Sequence, residues 1–262
     1  MTRPDSAYRS DCSNCAGLCC VALSFTRSAD FPEDKAAGDP CRHLGPDFGC
    51  GIHDRLRDRG YAGCTVFECS GAGQQVTQVT FGGTDWRTEP KLRQSMFDVF
   101  GVMRQLHEML ALLEEAGWRG TSTELAEVTE RVAAAAGGTA DQVLATDVPA
   151  LRSVVGNALR QVSAEVRRPA GAALSGADLV GRDLRKRDLR RADLRGALLV
   201  AADLRGVDLA DADLLGTDLR DAAAAGADLS QALFLAQSQV NALRGDAGTR
   251  LPEGLARPSH WK

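Results

Sequence analysis

Eight thiols crowd the first 69 residues of a 262-residue chain. They stand at Cys12, Cys15, Cys19, Cys20, Cys41, Cys50, Cys64 and Cys69, and no cysteine follows. The run Cys12-x2-Cys15-x3-Cys19-Cys20 places four of them within nine residues. Thiolates two or three residues apart can turn their sulfurs toward one ion, as structural zinc sites require. Three clustered cysteines with one remote equally suit an iron–sulfur cluster. Eight donors suffice for two zinc sites, or for one cluster with spare ligands, and the spacing leaves zinc and iron–sulfur both open.

Other candidate residues are weaker. His43 and His53 lie within three residues of a cysteine, and the plainer reading makes them loop residues. His107 is expected to be structural and His260 a surface or docking residue. Cys12-Ser13-Asn14-Cys15 has the spacing of a redox pair without its strand–helix context. No nucleophile–base–acid set emerges, so no catalytic residue is assigned.

Composition bounds the rest. The chain is 44% hydrophobic and 25% charged, with a net charge of −4. That excludes a strongly basic nucleic-acid binder and a highly charged disordered chain. The first residues lack the apolar run of a signal peptide, and no apolar stretch is long enough to span a membrane. The expected location is cytoplasmic. Disulfides are scarce there, which favours metal over bridges.

The order of cysteines resembles the YkgJ-type cysteine-cluster family, described as zinc- or iron-chelating, in its actinobacterial type. The match lies in the opening Cys12 to Cys20 motif, Cys41-Arg42-His43-Leu44, Cys50-Gly51-Ile52-His53, and the closing Cys64 and Cys69. The resemblance implies a metal-binding region. Some relatives are linked to protein lysine methylation, so a metal- or cluster-dependent protein-modifying enzyme is a second reading. The Arg-Pro pair usual in that family before the penultimate cysteine is replaced here by Arg59-Gly60-Tyr61-Ala62-Gly63.

The elements that must position these thiols fall into four stretches. Residues 1–84 form the cysteine-rich metal-binding region, with one strand expected over Val76-Thr77-Gln78-Val79-Thr80-Phe81. Residues 85–169 read as a helical bundle. Leu92, Met96, Val99, Met103, Leu106, Leu110 and Leu113 form one stripe of a long helix that Gly117 should close. Thr121 with Glu124, and Thr139 with Gln142, have capping-box spacing. A last helix carries Leu151 to Val166 and stops before Pro169.

From 172 the period becomes five. Leucine recurs at 174, 179, 184, 189, 194, 199, 204, 209, 214, 219 and 229, with Ala224 and Phe234 completing the series. Alanine commonly sits two residues before each centre. On an α-helix a step of five rotates a side chain by about 140° and scatters the leucines. On a flat strand it sends alternate ones to opposite faces. A chain that turns after every five residues sends all of them inward, as a solenoid does. Ala177-Asp178-Leu179-Val180-Gly181, Ala192-Asp193-Leu194-Arg195-Gly196 and Ala212-Asp213-Leu214-Leu215-Gly216 resemble the pentapeptide-repeat family. The resemblance implies a right-handed quadrilateral β-helix over 170–236, and residues 237–262 are expected to cap it. Arg182 and Arg187 take the small inward position near its start, where an end coil lets long side chains reach water.

The fold class expected is therefore multidomain, α and β: cysteine-rich region, helical bundle and short β-helix. The function expected is non-enzymatic binding of zinc or an iron–sulfur cluster, with solenoid and helices contacting a protein partner or forming a homodimer. Some pentapeptide-repeat proteins mimic DNA and protect topoisomerases, a third reading. The solenoid stretch is too short, and residues 170–262 carry no net charge, so nucleic-acid-like or nucleic-acid-binding roles are disfavoured. Outward apolar residues, with Leu198 and Val200 among them and Leu215, Leu233 and Leu235 on another side, suggest a packed or partnered face.

Overall fold

The computed structural model describes residues 8–261. The chain divides into two compact units, one built from 8–117 and 121–158, the other from 118–120 and 159–261.

In the first unit the cysteine-rich loops carry only short elements: α1 (Leu18–Ala22), α2 (Ala62–Val66) and α3 (Ala72–Gln74). α3 runs directly into a π-helical turn, Gln75–Thr80. This corrects the strand expected over 76–81. Its β-branched residues have no partner strand, so the segment satisfies its backbone locally. Val76 and Thr77 are buried while Val79 is exposed.

The long helix α4 spans Arg93–Arg119 and buries Met96, Val99, Met103, Leu106, Leu110 and Leu113. Gly117 lies inside it rather than closing it. The next cap is also shifted. Ser122, not Thr121, caps α5 (Thr123–Ala136) by accepting from the Leu125 amide. Thr139 and Gln142 form the expected capping box of α6 (Ala140–Leu144), and α7 follows over Val148–Val166.

The second unit is a stack of coils. Parallel bridges link Ala173 to Asp193, Asp178 to Leu198 and Asp183 to Asp203, then continue at the same twenty-residue offset to Asp213–Leu233. Four five-residue sides thus make one coil. The bridges are single pairs, and no longer strand forms among the described residues. The reason is in the corners. Each Asp just before a central leucine accepts from the amide two residues on, as Asp203 does from Arg205 and Asp218 from Arg220. Such Asx turns bend the chain after most sides. At most corners the residue two after the centre takes positive φ, supplied by glycine at Gly206 and Gly216 but by Ala201 and Asp211 at intervening corners. Leu184, Leu189, Leu194 and Leu199 are buried on the axis, with Ala192, Ala197 and Ala202 fully covered beside them. Each such leucine contributes about 1.5–3 kcal/mol. Arg182 and Arg187 are exposed, as the end-coil argument requires.

The residues after the coils stay in register only loosely. Ala223 bridges Arg244 and Asp228 bridges Arg250. The short helix α8 (Gln237–Ala242) brings buried Val240 onto the leucine core, and Leu243 follows it there. Trp261 Nε1 donates to the Leu243 carbonyl at 3.0 Å. Leu233 and Leu235, expected outward, are buried, and Leu235 joins the same core.

A charge ladder runs outside the coils. Arg185, Arg190, Arg205 and Arg220 each pair with the Asp two residues before. The guanidinium hydrogen bonds hold Asp188 and Asp203 down to about 2, and lower Asp193 and Asp218 as well. Unfolded aspartates take up protons near 3.8 while these native ones resist. Below that value the unfolded chain binds more protons, so stability falls as pH falls. The repeat unit is therefore expected to lose Tm progressively between about pH 4 and pH 2. Because the pairs are exposed, the effect should be modest and shrink in high salt, which thermal scans over a pH and salt series will show.

Candidate metal centre

The opening thiols are set by local turn chemistry. Asp11 accepts from the Ser13 amide at 3.0 Å and from Asn14 Nδ2 at 2.7 Å, fixing the 3-10 turn Cys12–Asn14. Cys15 follows the turn. Gly17, with φ of 65°, then starts α1, and a Cβ there would lie 2.7 Å from Leu44 Cδ1. Leu18 and Val21 are fully buried and anchor α1, leaving Cys19 and Cys20 on its partly exposed side. Adjacent helical residues point about 100° apart. The two sulfurs nonetheless lie 3.9 Å apart.

Cys69 returns to the opening turn from the far end of the region. Ser10 Oγ lies 2.9 Å from its sulfur. Gln74 clamps the same strand of chain, accepting from the Asp11 amide at 2.9 Å and donating to the Arg9 carbonyl at 2.7 Å. His107 on α4 bonds through Nδ1 to the Ser70 carbonyl at 2.8 Å, and burial lowers its pKa. It is thus a neutral buttress beside Cys69. Cys12, Cys15, Cys19 and Cys69 line one cavity, closed by Gly73 and Phe100. Gly73 is needed for that space, because a Cβ there would stand 2.6 Å from the Cys15 sulfur. Thr77, in the π turn, accepts from the Ala16 amide at 3.1 Å and donates to the Gly73 carbonyl at 2.9 Å.

The other thiols gather around a second frame. The Cys41 amide donates to the Cys20 carbonyl at 2.8 Å. A hairpin-like bridge joins Leu44 to Cys50. Cys50 and Cys64 pack on a small core of Ile52, Leu56 and Tyr61. Lys35 donates to the carbonyls of Val21, Ala36 and Asp39. Cys20 is drawn down first by its hydrogen bond with Cys19 and then by the nearby Lys35 cation.

All eight thiols are free. Burial pushes Cys12 up to about 11, with the neighbouring Cys15, Cys69 and Cys20 adding to it. Burial likewise pushes Cys64 up to about 12, with Cys20, Cys41 and Cys50 adding to it. Clustered thiolates thus repel one another where no cation balances them. Among the described residues no three Cys, His, Asp or Glu side chains converge at ligand geometry. His43 meets Tyr61 edge-on with centroids 5.2 Å apart and accepts from Arg42 Nε, whereas His53 is exposed in a 3-10 turn. The sequence offered no sign of the parts that Gly73, Gln74 and Thr77 play, since all three are ordinary in type.

The coils define a class and the whole chain a family. A family model described as "Pentapeptide repeats" matches residues 170–206 and 197–234, in 8 copies. Over 267 aligned residues the chain is 49% identical to the uncharacterized protein YybG of Bacillus subtilis, covering 96% of this chain and 94% of that protein. The chain therefore belongs to the family of that protein and carries pentapeptide repeats. Among solved structures it is similar to the pentapeptide repeat protein Rfr23 of the cyanobacterium Cyanothece, with 28% identity over 30% of this chain and 60% of that one, and a TM-score of 0.22. HetL of Nostoc, a pentapeptide repeat protein involved in heterocyst differentiation regulation, is 30% identical over 32% of this chain and 36% of that one, with a TM-score of 0.22. The chain spans less than two thirds of the length of either structure. No helix among the described residues is long and apolar enough to cross a membrane.

Proposed function

We propose that this protein binds zinc or an iron–sulfur cluster through its N-terminal thiols, without being an enzyme, and contacts a protein partner through its repeats and helices. The observation that carries the metal reading is the single cavity shared by Cys12, Cys15, Cys19 and Cys69. The donor set is all sulfur, and Gly73 leaves it room. A thiophilic metal would turn the mutual repulsion of these clustered thiolates into attraction and would tie together loops that have little core of their own. The resemblance of the cysteine order to the YkgJ-type family points the same way.

Anaerobic, chelator-free purification followed by metal analysis and a visible spectrum tests this. Bound iron with the broad absorbance of a cluster, or a colourless protein with stoichiometric zinc, is the expected result. Absence of both overturns the reading.

The contact reading is tested on the solenoid. Val180 and Leu198 are exposed, and the Asp178–Leu198 bridge sets their sides one coil apart. Leu198→Asp is expected to keep the wild-type Tm and to reduce self-association in sedimentation equilibrium. Identical sedimentation of the two proteins would remove this face from consideration.

A further inference from the structure

We infer that the eight cysteines make two separate four-thiolate metal sites, Cys12, Cys15, Cys19 and Cys69 holding one and Cys20, Cys41, Cys50 and Cys64 the other. This rests on the metal reading above and assigns its ligands. Three features of the geometry divide the thiols in this way.

The first is the cavity. It is lined by Cys12, Cys15, Cys19 and Cys69 and by none of the other four. The turn Cys12–Asn14, α1 and α3 supply its walls, and Ser10 holds Cys69 to them.

The second is the frame around the remaining four. Cys41 is fastened to Cys20 through the backbone, Cys50 to Leu44 through the bridge, and Leu44 back to Cys41 by its amide at 2.9 Å. Cys64 joins Cys50 on the core of Ile52, Leu56 and Tyr61.

The third is α1, which carries Cys19 and Cys20 at successive positions. Their sulfurs lie 3.9 Å apart, so α1 joins the two sites, with Cys19 lining the cavity and Cys20 fastened to Cys41. Four thiolates complete a tetrahedral zinc site or hold one four-iron cluster, so two sets of four leave no cysteine spare and require no histidine. That agrees with His43 and His53 being engaged elsewhere or exposed. Lys35 supplies a cation beside the second set, where four thiolates would concentrate negative charge.

The test uses the full chain loaded anaerobically with zinc alone, or with iron and sulfide. Metal per chain is measured by mass spectrometry. Wild type is expected to hold two zinc ions, or two clusters in the iron arm. Cys12→Ser combined with Cys69→Ser should halve the content, as should Cys41→Ser combined with Cys64→Ser. Cys12→Ser combined with Cys64→Ser should remove nearly all of it. One equivalent in wild type would overturn the two-site assignment while leaving the metal reading intact, and none would overturn both. Should a variant fail to fold, the wild type still decides the matter. During chelator titration, alkylation counted by intact mass should release the thiols in two steps of four. Release of all eight in one step would overturn the assignment.

Discussion

In the Asp213→Ala variant the repeat unit should unfold at a clearly lower denaturant concentration, with a loss of about 3–5 kcal/mol. Asp213 occupies the same place in its repeat as the exposed Asp183 and Asp188, but it is completely buried. Ser163 of α7 donates to its carboxylate, the Leu215 amide donates at 3.0 Å, and Arg195 stands at 3.5 Å. Arg167 Nε donates to the same Ser163 hydroxyl, and its Nη2 lies 3.5 Å from Asp193. Alanine would leave the Ser163 hydroxyl and the Leu215 amide short of an acceptor in a covered place, while Arg195 keeps its pair with Asp193. Asp213→Asn keeps one acceptor oxygen for the Leu215 amide and turns an NH2 toward Ser163, so its loss should be smaller than that of alanine but not nil. The pH dependence separates the two effects. Burial raises the Asp213 pKa above 3.8, so the native chain binds this proton more readily than the unfolded chain. Its ionisation therefore costs stability as pH rises above that value. The asparagine variant should lack that component of the slope, which urea titrations across mildly acid pH will reveal.

Asp213 also shows how far the sequence could be read. The five-residue period announces a solenoid because neither helix nor flat strand brings Leu184, Leu189 and Leu194 to one axis. The twenty-residue bridges agree. What the leucines do not reveal is the corner chemistry. That belongs to the aspartates, whose turn bonds and left-handed neighbours make each side end. Nor does the pattern tell which aspartate is covered, because Asp213 becomes buried only when α7 places Ser163 against it. Counting positions alone points Leu233 and Leu235 outward, yet they lie buried where the regular coils end and α8 begins. In residues 76–81 alternation suggested a strand, but a strand needs a neighbour and a helical turn does not. Type and spacing alone mark the cysteines as candidate donors. The division proposed for them is not legible, because it depends on how α1 and the loops over 21–68 turn back, and those loops have almost no hydrophobic periodicity to read.

Gly73→Ala tests whether that turning-back makes the first site. The added methyl would lie 2.6 Å from the Cys15 sulfur, 3.5 Å from its Cβ and 3.9 Å from the Cys69 sulfur. The helical backbone of α3 cannot retreat, because Thr77 holds the Gly73 carbonyl and Gln74 is bonded to the opening loop. Cys15 must therefore take another rotamer, losing the amides of Leu18 and Gly17 that favour its thiolate. The affinity of the first site for metal is expected to fall by about 10–100-fold, the scale of damage that outer-sphere changes inflict. The second site should be untouched, so a metal titration would show one strong and one weakened step. Gly101→Ala supplies the control. It sits within α4, and a Cβ there meets nothing within 4 Å. That change should raise stability by about 0.5–1 kcal/mol through helix propensity and leave both metal steps as in wild type. The same added methyl is thus expected to act oppositely at two helical glycines of one unit. The difference isolates the space beside Cys15 as the reason glycine is required at position 73.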